Sequence, residues 1–313
     1  MDVLPAAIWW PRARAHMDAA HERSAGHQAR RAAGQRHPVE DFLWEYYSLR
    51  PRRLAIWHPG VDRNAVPYGL AFPLDDEVSD IDAARIYWQR QSELPWYRII
   101  EGVDAAAALV QLDPDYLFHR SNGIRHLTLL QRVLIEREPS FGCLGWHEWA
   151  MVYKVDETRH PLPLRLGTER TNELVEQAHI RCTHFDAFRF FSPAAVDLNL
   201  VQPAYDTVLE YEQAGCIHVT MDLLRACIQL APLIPGELLI ECFDLAMKAR
   251  RIDMQASPYD CSSLGLEPIA IETSEGKARY IAAQRELAAQ ADPLRHRLLT
   301  ILEPCYAAIQ KPD

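Results

Sequence analysis

Apolar positions along this chain recur mostly at helical spacing. Ile124, Leu127, Leu130 and Val133-Leu134 fall three or four residues apart and predict a helix that follows the turn Ser121-Asn122-Gly123 and closes at Pro139. Leu238, Leu239, Cys242, Leu245 and Ala246 make a second stripe and predict an amphipathic helix from Glu237 to Arg251. Phe42, Leu43, Trp44, Tyr46 and Tyr47 predict a buried helix opened by Pro38 and the acidic pair Glu40-Asp41. Ser79-Asp80-Ile81-Asp82 resembles a capping box before a helix running to about Gln91. Further helices are expected over Ala105–Leu112, Gln202–Gln213 and Leu223–Leu230. Two more are expected at the C-terminus, Glu275–Ala291 and a last one opened by Pro293 and running to Gln310.

Strand signals are fewer. Pro268–Thr273 predicts a strand, and His160–Leu166, with two prolines, reads as a connector or edge strand. Thr168–His179 carries signals of both kinds, and residues 61–78 read as an irregular loop. The fold class expected is therefore mainly α (α+β), a large helical domain with a small β-sheet. No Gly/Ser linker or low-complexity tract divides the chain, so 1–313 is read as a single domain. Residues 1–36, rich in Ala, Arg and His, are read as an N-terminal helical extension of one or two surface helices.

Composition narrows the function classes. With 313 residues and 49% hydrophobic content, the chain can bury a sizeable core. Its formal net charge of -10 disfavours a nucleic-acid partner, which calls for a basic face. The seven cysteines are odd in number and form no CxxC pair, so reduced thiols and a cytoplasmic location are expected. No apolar signal core opens the sequence, and no run reaches the roughly 18 apolar residues of a membrane span.

Candidate chemistry sits where ionisable residues are embedded in apolar ones. In 181–191 (RCTHFDAFRFF) four phenylalanines surround His184 and Asp186, and in an extended conformation Cys182, His184 and Asp186 would share one face. In 141–153 (FGCLGWHEWAMVY) His147 and Glu148 lie between two tryptophans. The segment 215–222 (GCIHVTMD) supplies His218 and Asp222 and echoes the Cys-x-His of 182–184. In 253–260 (DMQASPYD) Asp253 and Asp260 flank a Ser-Pro turn or polar lid. Buried groups of this kind must be paired, neutral or coordinated. Two chemistries follow. His147, His184 and His218 are candidate ligands for a divalent metal (Fe, Mn or Zn). Glu148, Asp186, Asp222, Asp253 and Asp260 are candidate catalytic acids or bases. Ordinary interior pairing is the alternative for each.

Weaker signals are His58 at a Pro-Gly turn, the spacing Glu176-x-x-His179 of a dimetal helix, and Arg279, Tyr280, Gln284 and Arg285 as a face for an anion. HExxH, a serine elbow, a P-loop and a dinucleotide glycine motif are absent.

The segments 37–43 (HPVEDFL), 57–60 (WHPG), 141–153, 181–191, 215–222 and 253–260 together resemble a bacterial family common in actinomycetes, whose members are labelled 3-methyladenine DNA glycosylase. The resemblance covers nearly the whole chain, with Val61–Pro73 departing most from it. It implies an enzyme acting on a nucleobase or base-like heterocycle by N-glycosidic hydrolysis. The residues themselves offer Glu148, Asp186 or Asp222 as acid or base and the aromatics as a stacking wall. A metal-dependent enzyme on a small molecule is the alternative, and a non-catalytic binding protein is a third. An active centre of either enzymatic kind requires His147, His184 and His218 to converge in space.

Overall fold

A computed structural model of the chain describes residues 2–74, 78–101 and 108–310. The fold is mainly α with one small sheet: 58% of it is helix and 7% strand, which settles the class expected from the apolar spacing. Four helices make the central bundle: Ser121–Glu136, Ile217–Leu230, Gly236–Ala256 and Ser274–Gln310. The stripe of Leu238, Leu239, Cys242, Leu245 and Ala246 is buried throughout. It meets Met221, Leu224 and Cys227 of one neighbour and Leu294 and Leu298 of the other. Each such leucine removed from water contributes roughly 1.5–3 kcal/mol, so this bundle is the rigid frame of the molecule.

The sheet lies to one side. Strands β1 (Val3–Leu4), β2 (Gly69–Ala71), β3 (Tyr97–Glu101) and β4 (Ala108–Leu112) are ordered β1-β2-β4-β3, with only β1 and β2 parallel. Leu70 pairs with Val110 and Val110 with Ile99. The sheet packs on the helix Ala6–Ala32 through Trp9, Trp10, Trp57, Leu70, Trp88 and Val110. Trp9 and Trp88 donate their indole N–H groups to the Ala71 and Leu70 carbonyls, both at 2.9 Å. The N-terminal segment is thus a single surface helix with one face buried, through Trp9, Ala13, His16 and Ala20.

Several expectations are corrected. Residues 105–107 of the expected 105–112 helix lie outside the described residues, and Ala108–Leu112 is β4, held by strands on both sides. Within 61–78 the chain forms β2. The helix expected over Gln202–Gln213 shortens to a 3₁₀ turn at Tyr205–Thr207 and Val208–Tyr211. Pro268–Thr273 is irregular, and its apolar Ile269 and Ile271 anchor a loop in the core. Asp80 does not cap its helix: its carboxylate goes to Arg14 at 2.8 Å. Ser274–Gln310 is one helix through Pro293, which removes a backbone hydrogen bond. It continues because Leu287, Ala291, Leu294, Leu298 and Leu302 stay on one buried stripe, and tertiary burial outweighs the local break. Among the described residues, no helix is long and apolar enough to cross a membrane.

One close approach fixes the start of the helix Ile217–Leu230. A Cβ on Gly215 would lie 2.3 Å from the Ser140 carbonyl oxygen and 3.0 Å from Gln213 Oε1. Gln213 Oε1 already accepts from the backbone N–H groups of Ser140 (2.7 Å) and Gly215 (2.8 Å), so neither wall is free to retreat. We expect Gly215→Ala to destabilise the protein by about 1–3 kcal/mol in denaturant unfolding. Stability equal to wild type would show that this contact does not hold the two segments together.

Candidate functional site

Four remote segments deliver the site. Gly145, in the left-handed region (φ 76), turns the chain into the short helix Trp146–Met151, whose first turn buries His147 and Glu148. The helix Ile217–Leu230 carries His218, Asp222 and Arg225 on one face, at spacings of four and three. The helix Gly236–Ala256 brings in Arg250 and Asp253 one turn apart. His184 arrives on the irregular segment before Phe185–Phe188. It caps that short helix by accepting, at Nδ1, the Ala187 N–H at 3.2 Å. The 181–191 stretch is therefore not a continuous strand. Cys182 and His184 are buried, and Asp186 sits on the helix turn that follows.

The three histidines converge. His147 and His218 ring centroids are 4.4 Å apart, and the His184 and His218 rings stack at 5.2 Å. His147 Nε2 lies 2.8 Å from Asp253 Oδ1, and its Nδ1 lies 3.7 Å from the Cys143 thiol. Arg250 Nη1 donates to Glu148 Oε1 (3.0 Å) and Asp253 Oδ2 (2.7 Å), while its Nη2 lies 3.2 Å from His160 Nε2. Beyond His184, Asp222 Oδ2 is 3.1 Å and Glu212 Oε1 3.5 Å from Nε2. Asp186 stands at the rim, paired with Arg225 and, at 2.6 Å, with Arg189.

Electrostatics divides the cluster in two. Burial opposes a charged His147, yet the Asp253 charge and hydrogen bond, with Cys143, hold its pKa well above the usual value. Burial would raise Asp253, but the charge and hydrogen bond of His147, with the Arg250 charge, hold it far below the carboxylate range. Glu148 is pushed up by burial and by the Asp253 charge, with Arg250 opposing. His218 is pushed well below normal, first by burial and then by charged His147, so it is neutral. Its Nδ1 is buried without a hydrogen-bond partner among the described residues, which is rare for an interior polar atom. One ligand atom each from His147, His218 and Asp253 lies within 4.8 Å of the others.

In the second half, burial pushes Glu212 up to about 7, the Asp222 and Asp186 charges adding to it while His184 and Arg225 oppose. Burial also works against a charged His184, but Glu212 and Asp222 carry its pKa upward. Between the halves, bounded by Glu148, His160, His184, His218, Asp222 and Arg250, is a space of about 20 Å³, room for roughly one water.

No family model, curated protein or solved structure matches the chain. The site is therefore read from its own geometry.

Of the residues singled out in the sequence, His147, Glu148, His184, Asp186, His218, Asp222 and Asp253 come together. Asp253 does so from inside a helix, fully buried, and is no part of a lid. Asp260 stands apart, where its Oδ1 accepts the Ser262 N–H at 3.0 Å and holds a surface turn. Glu176 pairs with Lys154 at 2.8 Å on the surface, and His58 with the Tyr97 hydroxyl at 2.8 Å under the sheet. Tyr280 and Gln284 are buried while Arg279 and Arg285 are exposed, so those four share no anion-binding face. Sequence reasoning missed Arg250, His160 and Glu212. Arg250 was detectable: with Leu239, Phe243, Ala246 and Asp253 it keeps the spacing of a buried stripe, and all five are buried. Glu212 lies at the end of a weak helical pattern and carries no such signal.

Two outcomes follow. Arg250→Ala leaves Glu148 and Asp253 buried without their cation, and we expect a loss of about 3–5 kcal/mol in denaturant unfolding. A loss below about 1 kcal/mol would mean that the network is solvated and loose. Glu212, normally 4.5, keeps its proton to about pH 7 when folded and releases it near 4.5 when unfolded. The folded state binds the extra proton in that window, so stability falls as pH rises from 4.5 to 7. We expect Glu212→Gln to remove this decline, gaining up to about 3 kcal/mol on wild type at pH 8 relative to pH 4. Parallel stability–pH curves for the two proteins would refute it.

Proposed function

We propose that the protein is a metal-dependent enzyme acting on a small molecule, with His147, His218 and Asp253 holding one divalent first-row ion whose binding displaces the His147 proton. The observation that carries this is the unpartnered Nδ1 of His218, buried beside a histidine and a carboxylate within ligand reach of one another. Two imidazoles and one carboxylate suit Fe(II), Mn(II) or Zn(II) and leave coordination positions open. The ion would supply a Lewis acid that lowers the pKa of bound water. The chain supports it in specific ways. Arg250 bonds Asp253 Oδ2 and leaves Oδ1 turned toward His147. Glu212, titrating near neutrality and 3.5 Å from His184, is suited to accept or return a proton through that imidazole, which borders the small cavity. Hydrolysis is the reaction class that these groups serve. Seven free cysteines, all buried, support a reducing, cytoplasmic setting.

A second reading, cleavage of a base from its sugar, is favoured by the aromatic residues Phe42, Tyr46 and Phe190 on the outer wall of the cavity. Elemental analysis separates the two. We expect purified protein to carry near-stoichiometric Fe, Mn or Zn, or to take it up after chelation, and His218→Ala to lose it while keeping its circular dichroism spectrum. Absence of all three metals together with no uptake would sink the metal reading. Release of free base from alkylated DNA by chelated protein would establish the other.

A further inference from the structure

Outside the histidine centre lies a hollow of about 560 Å³ that the reading above does not use. It shares Phe42, Tyr46, Arg159, His160 and Phe190 with the inner cavity, so the two adjoin. Its lining carries three arginines (Arg36, Arg159 and Arg189) against one carboxylate, Glu45, on a chain whose formal charge is -10. A local reversal of sign is a means of attracting an anion. The arginines differ in what they are free to do. Arg36 lies 4.0 Å from Glu45, and Arg189 is bonded to Asp186 at 2.6 Å. Arg159 has no carboxylate partner among the described residues. Its guanidinium lies 4.6 Å from the centroid of the Phe190 ring, and Arg189 lies 4.4 Å from the same ring. Stacking of this kind holds the planar fork in place and leaves its N–H edge available for a carboxylate or phosphate, which it meets with two parallel hydrogen bonds.

We propose that this hollow seats the anionic group, phosphate or carboxylate, of a small-molecule substrate, with Arg159 as its principal contact. The proposal rests on the metal-centre reading for where the other end of that molecule reacts. His160 stands between the two compartments, its Nε2 3.2 Å from Arg250 Nη2, and so borders both the seat and the centre. The inner space of about 20 Å³ admits only a small reacting group, so the anion-bearing body of the substrate stays in the outer hollow. Phe42 and Tyr46, stacked at 5.0 Å, line that hollow and offer an apolar wall to the part of the substrate between its two ends.

Calorimetric titration of the whole protein with phenylphosphonate and with benzoate, at low salt, tests the seat and tells the two anion chemistries apart. We expect at least one probe to bind, and Arg159→Ala to weaken it about tenfold, the share of a charge-assisted hydrogen bond. Arg90→Ala, which removes an exposed arginine from the helix Ile81–Ser92, should leave binding unchanged. Equal affinity in wild type and Arg159→Ala, or no binding of either probe, overturns the proposal. So does tighter, steeply salt-dependent binding of a single-stranded oligonucleotide, which would assign the hollow to nucleic acid. Repeating the titration on chelated protein and on His218→Ala keeps the two readings apart. Anion binding that depends on Arg159 but persists without any metal would leave the seat standing and the metal centre refuted. A bound metal with anion binding indifferent to Arg159 would do the reverse.

Discussion

The Arg250 guanidinium is buried under the Phe42 ring at 4.0 Å and bonded to both Glu148 and Asp253. Each ion brought into the interior costs several kcal/mol, and only close pairing offsets it. Arg250 and Asp253 belong to the long helix Gly236–Ala256 and Glu148 to the short helix Trp146–Met151. The ion network thus joins two elements that share no continuous stripe. Removing either partner would strand the other, so the network enforces one arrangement of the two helices. Asp253 is then oriented, and it sets His147. Burial, and then the His147 charge, keep His218 uncharged.

From this follows a division of labour by depth. At the bottom, one positive imidazole, one neutral imidazole and one carboxylate sit in contact with a fixed cation behind them. At the rim, Asp186 and Asp222 are held by Arg225, with the Tyr46 hydroxyl donating to Asp186 at 3.0 Å and the Tyr47 hydroxyl to Asp222 at 3.2 Å. The rim charges are compensated by residues that water reaches, whereas the deep ones have only each other. The same residue types therefore behave differently. Asp253 is locked as an anion by His147 and Arg250, while the Glu212 carboxylate, with no arginine bonded to it among the described residues, is pushed by burial to about 7. The four-helix frame makes such separation possible, because the side chains come from rigid elements packed through leucine and alanine.

Apolar spacing by itself determined the long helices, since a buried stripe repeated over several turns has no other way to be covered; Ser121–Glu136 and Gly236–Ala256 were legible for that reason. It also marked the segments where ionisable residues are forced inward, 141–153, 181–191 and 215–222, because aromatic neighbours cannot be buried without them. Tertiary structure decided what local signals could not carry. Ala108–Leu112 is a strand because partners flank it on both sides, and Pro293 sits mid-helix because the stripe around it is buried. Which of the marked residues meet was likewise undetermined along the chain. Asp253 joins His147 across 106 positions while Asp260, seven residues on, faces outward. Contact between distant segments depends on how the helices cross, and that is set by the whole packed interior rather than by any stretch within it.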